Sequence, residues 1–321
     1  MSGQMMLATS LLALAAGAGG SAPIVMDGLV VILGVFSFGL GACIASFLNV
    51  VIWRVPRGES IARPPSHCPK CHAPIKWYQN IPILSWLALR GKCANCKTPI
   101  SPRYIFVEAL GGLLFLAAFL HLFGGDGKPV VAPFGQVTYI GGIFILLVWW
   151  IWISLMIAGS FIDFDHQLLP DFTTVGGMVL GVLFWAFVSA STRNFAFDFS
   201  DLRMYFPLAY SISGLVFGFG LLWFVRWVGS KAFKREAMGM GDVFLMGAVG
   251  ALFGPVAVLV TLILSSVFGS VVGIVLILLS KTKLGGFTPI PYGPYICLGC
   301  LAWMFYGPQI VNWYMHLITS L

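Results

Sequence analysis

Two aspartates stand where charge is costly. Asp163 closes the apolar run 151–162, and Asp242 opens another directly after Gly239-Met240-Gly241. An acid beside hydrocarbon costs roughly 2–3 kcal/mol even on the milder insertion scales, so its default reading is functional. Two such acids at one membrane face form a pair that shares a proton and activates water. Asp165 and Asp171 share the short loop expected to carry Asp163. Asp165 points to the far side if the helix continues, and Asp171, after Pro170, charges the start of the next helix. For Asp242 the flanking glycines matter: without Cβ atoms they let another backbone come close, as an extended peptide would have to. Gly-x-Gly is also common in packed membrane helices, and only the acids give it weight.

Cys68-Pro69-Lys70-Cys71 and Cys93-Ala94-Asn95-Cys96 are two C-x-x-C pairs separated by 21 residues. Each pair offers two thiolates on one turn, and the spacing is that of a zinc ribbon. Four thiolates leave no open position, so this zinc is structural rather than hydrolytic. Disulfides or free thiols are the competing reading, and a reducing compartment disfavours the disulfides. Cys43, Cys297 and Cys300 lie in apolar spans and read as small buried hydrophobes. No serine–histidine pattern presents itself, and His166 reads as a surface residue beside the aspartates. Glu108, about one turn inside a span, is either a functional acid or paired with a nearby base.

The elements that must position these groups are membrane helices. Hydrophobic residues make up 59% of the chain and charged residues 9%, against about 25% charged in soluble domains. A span needs about 20 apolar residues. The runs predict about eight, near 24–53, 104–123, 138–162, 172–190, 205–228, 243–253, 256–280 and 291–318, the sixth short and hinged to the seventh at Gly254-Pro255. The expected fold is therefore an all-α polytopic membrane protein. Its parts are an N-terminal tail and first span (1–53), a polar zinc-binding loop domain (54–103) and a membrane core (104–321). Met5 to Ala16 is apolar but short and has no basic residue before it, so it predicts a loose tail or interfacial helix rather than a signal peptide. No convincing internal repeat is evident.

Charge sets the orientation. With eight crossings, fifteen bases fall on the side of the cysteine loop and three, Lys128, Arg193 and Arg203, on the other. The basic side is then cytoplasmic, and both Asp163 and Asp242 lie at that face. The net charge of +7 reports topology in a lipid membrane, not nucleic-acid binding.

Together these motifs resemble the bacterial type IV prepilin peptidases, bifunctional leader peptidases and N-methyltransferases. The resemblance runs from about Gly34 onward. It rests on the paired C-x-x-C motifs, on Asp163 followed by Pro170, and on Gly239-Met240-Gly241-Asp242. Ser46-Phe47-Leu48-Asn49-Val50-Val51, Arg90-Gly91-Lys92-Cys93 and Pro291-Tyr292-Gly293-Pro294 also match. The resemblance implies prepilin or pseudopilin substrates, cleaved after the glycine that ends a basic leader. The new N-terminus, often Phe, is then methylated from S-adenosylmethionine. It implies catalytic roles for Asp163 and Asp242, and it associates the cysteine loop with methylation, which makes Gly91 and Lys92 the candidates there. It also raises the question of what receives a basic leader at a basic face, for which Asp165, Asp171, Glu108 and Glu236 are candidates beside Asp163. Two rival readings are a presenilin-type intramembrane protease and a transporter with an aspartate ion site. Neither accounts for the cysteine loop.

Overall fold

The computed structural model describes residues 22–124, 130–132, 135–137, 139–191, 207–236, 238–279 and 291–320. Among the described residues there are eight α-helices: α1 (Ala22–Arg54), α2 (Leu84–Ala88), α3 (Arg103–Phe123), α4 (Tyr139–His166), α5 (Asp171–Ser191), α6 (Pro207–Phe233), α7 (Met240–Leu279) and α8 (Gly293–Thr319). The expected all-α class holds, with one addition. A short antiparallel hairpin, β1 (Val130–Ala132) with β2 (Gly135–Val137), lies in the connection between α3 and α4. The tail 1–21, the loop 198–203 and the bases Lys128, Arg193, Arg203, Lys281 and Lys283 lie outside the described residues.

Among the described residues six helices, α1 and α3 to α7, are long and apolar enough to cross a membrane, and the protein is a multi-pass membrane protein. The sixth and seventh expected spans are two arms of α7. At 40 residues a straight α7 would run about 60 Å, twice the thickness of a bilayer core. It bends instead at Gly254, whose φ of 81° and ψ of −179° break the helix where the hinge was expected. The expected eighth span is α8, helical as predicted. It falls outside the six because Pro308, Gln309, Asn312 and His316 interrupt its apolar surface. The Asp163 loop is shorter than expected. Helix α4 runs on to His166, and Gln167 closes it in the left-handed conformation, its N–H on the Asp163 carbonyl.

Small residues bring the helices together, as they must where lipid offers no hydrophobic contrast. A Cβ on Gly41 of α1 would stand 2.6 Å from the Gly111 carbonyl of α3. The interior is aromatic, and two of its indoles reach backbone carbonyls: Trp150 Nε1 donates to the Phe115 carbonyl at 3.2 Å and Trp185 Nε1 to the Leu252 carbonyl at 2.9 Å. Cys297 and Cys300 are buried, in keeping with their reading as small hydrophobes, whereas Cys43 is exposed on α1.

Candidate active site and metal centre

Helix ends bring the two aspartates together. Asp163 occupies the last turn of α4 and Asp242 the first turn of α7, and both are buried. The charge of Asp163 reaches Asp242. Leu169, in the connection from α4 to α5, wedges between the elements. A Cβ on Gly241 would lie 2.8 Å from Leu169 Cβ, and one on Gly293 would lie 2.7 Å from Asp163 Oδ2. Gly241 therefore permits a close internal contact, in place of the open gap for a peptide that the sequence suggested. Gly239 is exposed and has only an ordinary contact with Asp242 Oδ2, at 3.7 Å from a built Cβ. Gly241→Ala forces Leu169 aside. Overpacking of this kind costs about 1–3 kcal/mol, a shift of about fivefold to a hundredfold if it falls on the reacting geometry. The expected result is at least a fivefold slower peptide cleavage, measured by product mass. A wild-type rate would show that the Leu169 contact does not set the position of Asp242.

Three further contacts hold the pair, and sequence reasoning assigned a role to none of them. The Gly293 N–H, at the start of α8, donates to Asp163 Oδ2 at 3.1 Å. Next to it, the Tyr292 hydroxyl bonds the Ser265 hydroxyl of α7 at 2.7 Å, which ties α8 to α7. Arg103, at the start of α3, meets Asp165 at 2.7 Å and donates to the Phe161 carbonyl at 3.3 Å, so it clamps the last turn of α4. Asp165 thus faces away from the dyad, as its two-residue offset required. The Pro-Tyr-Gly-Pro stretch was visible as a motif, but only the fold shows that its amide reaches Asp163.

Arg226 of α6 does for Asp242 what Arg103 does for Asp163. Its Nε donates to the Met238 carbonyl at 2.9 Å, and its guanidinium meets Glu236 at 3.2 Å. Glu236 is 82% exposed, so that ion pair contributes about 0–1 kcal/mol. The bond to Met238, from a charged donor, is worth about 1.5–3 kcal/mol. Arg226→Met is therefore expected to slow cleavage by about tenfold or more, while Glu236→Gln changes it by less than about threefold. Equal effects of the two substitutions would assign the work to the ion pair instead.

The remaining acids have other partners. Glu108 accepts the Ile83 N–H at 2.8 Å, Asp165 serves Arg103 and Glu236 serves Arg226. Asp171 is exposed at the start of α5, as its place after Pro170 suggested. Of the acids proposed to receive a basic leader, the three with partners are already engaged.

The four loop cysteines converge. Their sulfurs all lie within 4.8 Å of one another, with Cys68 to Cys96 at 3.8 Å and Cys71 to Cys93 at 4.0 Å. A tetrahedron of thiolates at about 2.3 Å from zinc has edges of about 3.8 Å, so the donor set fits that ion. The Ala73 N–H beside Cys71 pushes its thiol down to about 6, which favours the thiolate.

The two knuckles are built alike. Cys68 N–H donates to the Ala73 carbonyl and Cys93 N–H to the Thr98 carbonyl. His72 and Lys97, with φ of 54° and 59°, each donate back to the first cysteine of their own knuckle. This corrects the expectation of no internal repeat: Cys68-Pro69-Lys70-Cys71-His72-Ala73-Pro74-Ile75 aligns with Cys93-Ala94-Asn95-Cys96-Lys97-Thr98-Pro99-Ile100. It is too short to register as a period along 321 residues.

Gly91 and Lys92 enter the second knuckle. Gly91 is buried with φ of 65°, its N–H on the Trp86 carbonyl at 2.9 Å and its carbonyl on the Ile100 N–H at 2.7 Å, and Lys92 is exposed. They are remote in sequence from the aspartates, in the polar stretch between α1 and α3.

Comparison with known proteins covers both the cysteines and the aspartates. Residues 40–122 match the bacterial peptidase A24 N-terminal domain, and residues 150–274 match the type IV leader peptidase family. A prepilin leader peptidase/N-methyltransferase from Myxococcus xanthus is 41% identical over 76% of this chain, a stretch that spans 63% of that relative. The enzyme of the same name from Stutzerimonas stutzeri is 35% identical over 86% of this chain and 92% of its own length. A type 4 prepilin-like protein leader peptide-processing enzyme from Escherichia coli is 35% identical over 82% of this chain and 90% of its own length. No solved structure matches the chain. With one model matching the half that carries the cysteines and another the half that carries both aspartates, the chain belongs to the type IV leader peptidase family.

Proposed function

We propose that the protein removes the basic leader of type IV prepilins and pseudopilins after the leader glycine, and then methylates the new N-terminus with S-adenosylmethionine as donor. The observation that carries the reading is the meeting of two buried carboxylates, Asp163 and Asp242, at the ends of two membrane helices in a chain of this family. One carboxylate is ionised and takes a proton from water as the water oxygen attacks the scissile carbonyl carbon. The other is protonated and donates to the carbonyl oxygen. Collapse of the tetrahedral intermediate breaks the C–N bond, and the leaving nitrogen takes up a proton from the dyad. The Gly293 N–H supplies a donor to a negative oxygen on Asp163, which supports Asp163 as the base and Asp242 as the acid.

Methylation needs different chemistry. The bound donor supplies an electrophilic methyl group on a positively charged sulfur. The free amine of the new N-terminus would accept that methyl group through its lone pair, with the S–C bond electrons left on the donor's sulfur and one proton released. Gly91 and Lys92 are the candidates for this part, with the cysteines as a structural zinc site. The excess of bases in the cysteine loop supports a cytoplasmic active face in the bacterial inner membrane. The test is to incubate purified protein in lipid with a full-length prepilin and S-adenosylmethionine and to read the product by mass spectrometry. Cleavage after the leader glycine and a gain of one methyl group on the new N-terminus are expected. An intact substrate across several prepilins would overturn the reading in favour of an ion-coupled transporter.

A further inference from the structure

The cysteine loop is joined to the membrane helices at a strained point. Ile83 sits at φ 64° and ψ −55°, with the Leu84 N–H folded back onto the Pro82 carbonyl at 2.6 Å. This is a γ-turn of the disfavoured hand, and a β-branched residue at its centre makes it worse. Such a conformation persists only where its surroundings over-determine it. The partner is Glu108, in the second turn of α3, whose buried carboxylate accepts the Ile83 N–H at 2.8 Å. A hydrogen bond to a charged acceptor is about twice as strong as a neutral one.

The turn has a consequence 8 residues on. It launches α2, whose Trp86 lies over Gly91: a Cβ there would meet the indole at 2.8 Å. Trp86 also receives the Gly91 N–H on its carbonyl and reaches the Ile100 carbonyl through Nε1 at 3.4 Å. A continuous set of contacts thus runs from a buried acid in the membrane helices to the entrance of the second knuckle.

We propose that Glu108 is a positioning residue for methyl transfer: by holding the strained turn at Ile83, it sets Trp86 and through it the Gly91–Lys92 turn. The inference rests on the reading that this turn belongs to the methylation site. Glu108 itself touches neither the aspartates nor the cysteines, so leader cleavage and metal retention do not depend on it.

The test compares the full-length protein with Glu108→Ala, Glu108→Gln, Gly91→Ala and the double variant Glu108→Ala with Ile83→Gly. Cleavage of prepilin, methylation of a pre-cleaved pilin and zinc content are measured in parallel. Glu108→Ala is expected to slow methylation at least tenfold, with cleavage within twofold of wild type and zinc unchanged. Glu108→Gln, whose amide oxygen still accepts the N–H, should lose less than threefold. Ile83→Gly adopts positive φ without strain and should restore methylation in the Glu108→Ala background. Normal methylation in Glu108→Ala beside a methylation-deficient Gly91→Ala would overturn the proposal and leave the reading of the turn intact. Normal methylation in Gly91→Ala would overturn that reading and the proposal with it. Equal loss of cleavage and methylation in Glu108→Ala, unrelieved by Ile83→Gly, would assign Glu108 to the fold as a whole and also overturn it.

Discussion

Replacing either Asp163 or Asp242 by asparagine is expected to slow leader cleavage by about 10²–10⁴-fold, the range that a lost general acid or base commonly costs. Asparagine keeps the shape of the side chain. At position 163 its carbonyl oxygen can still accept the Gly293 N–H, so the contact seen at 3.1 Å survives. Both native carboxylates are buried, at 6% and 8% exposure, and burying the charge they carry between them opposes folding. The variants should therefore melt at or above the wild-type temperature. Prepilin binding should persist, and methylation of a pilin supplied already cleaved should continue, because Gly91 and Lys92, the residues proposed for methyl transfer, are not among those that hold the aspartates. A variant retaining more than about a tenth of the wild-type rate would remove that aspartate from the chemistry. A variant that loses cleavage and unfolds would show that the carboxylate holds the helices together instead.

The legible part of this protein was its chemistry-bearing residue types, because an acid in hydrocarbon and paired C-x-x-C motifs are costly or specific enough to stand out. The helix hinge was legible for a similar reason: Gly254-Pro255 interrupts an otherwise unbroken apolar run, and the backbone does break there. The supports were not legible. Gly293 reaches Asp163 across 130 residues through a backbone N–H, which leaves no side-chain signature. Leu169 against Gly241 is an apolar contact among many apolar residues, and its meaning comes only from where the helices cross. Glu108 was visible as an anomaly, but its partner is another backbone N–H, 25 positions earlier. Charges at the membrane face also have partners that the sequence did not show. Asp165, Glu236 and Glu108 looked available to a basic leader, while the fold already occupies each with a donor of its own.

Metal removal should have the second large effect, and it should fall unevenly. Between Gly58 and Pro102 only Cys68 and Gly91 are buried, while Trp77 is 82% and Leu84 64% exposed. A segment of that length with no apolar interior cannot offset the entropy of its own ordering. Zinc binding to four thiolates contributes about 10–16 kcal/mol at neutral pH, enough to set the two knuckles and the chain between them. Cys71→Ser with Cys93→Ser removes one thiolate from each knuckle. The protein should then fall from about one zinc per chain to nearly none, and the loop should become open to limited proteolysis. Helices α4 and α7 carry the aspartates, and Arg103 at the start of α3, Arg226 of α6 and the Gly293 N–H of α8 hold their ends. Cleavage should consequently fall less than about tenfold, whereas methylation should fall below detection. Full methylation by metal-free protein with a protease-resistant loop would mean that the knuckles stand without the ion. Complete loss of cleavage in soluble, folded protein would mean that the loop also shapes the path of the peptide to the aspartates.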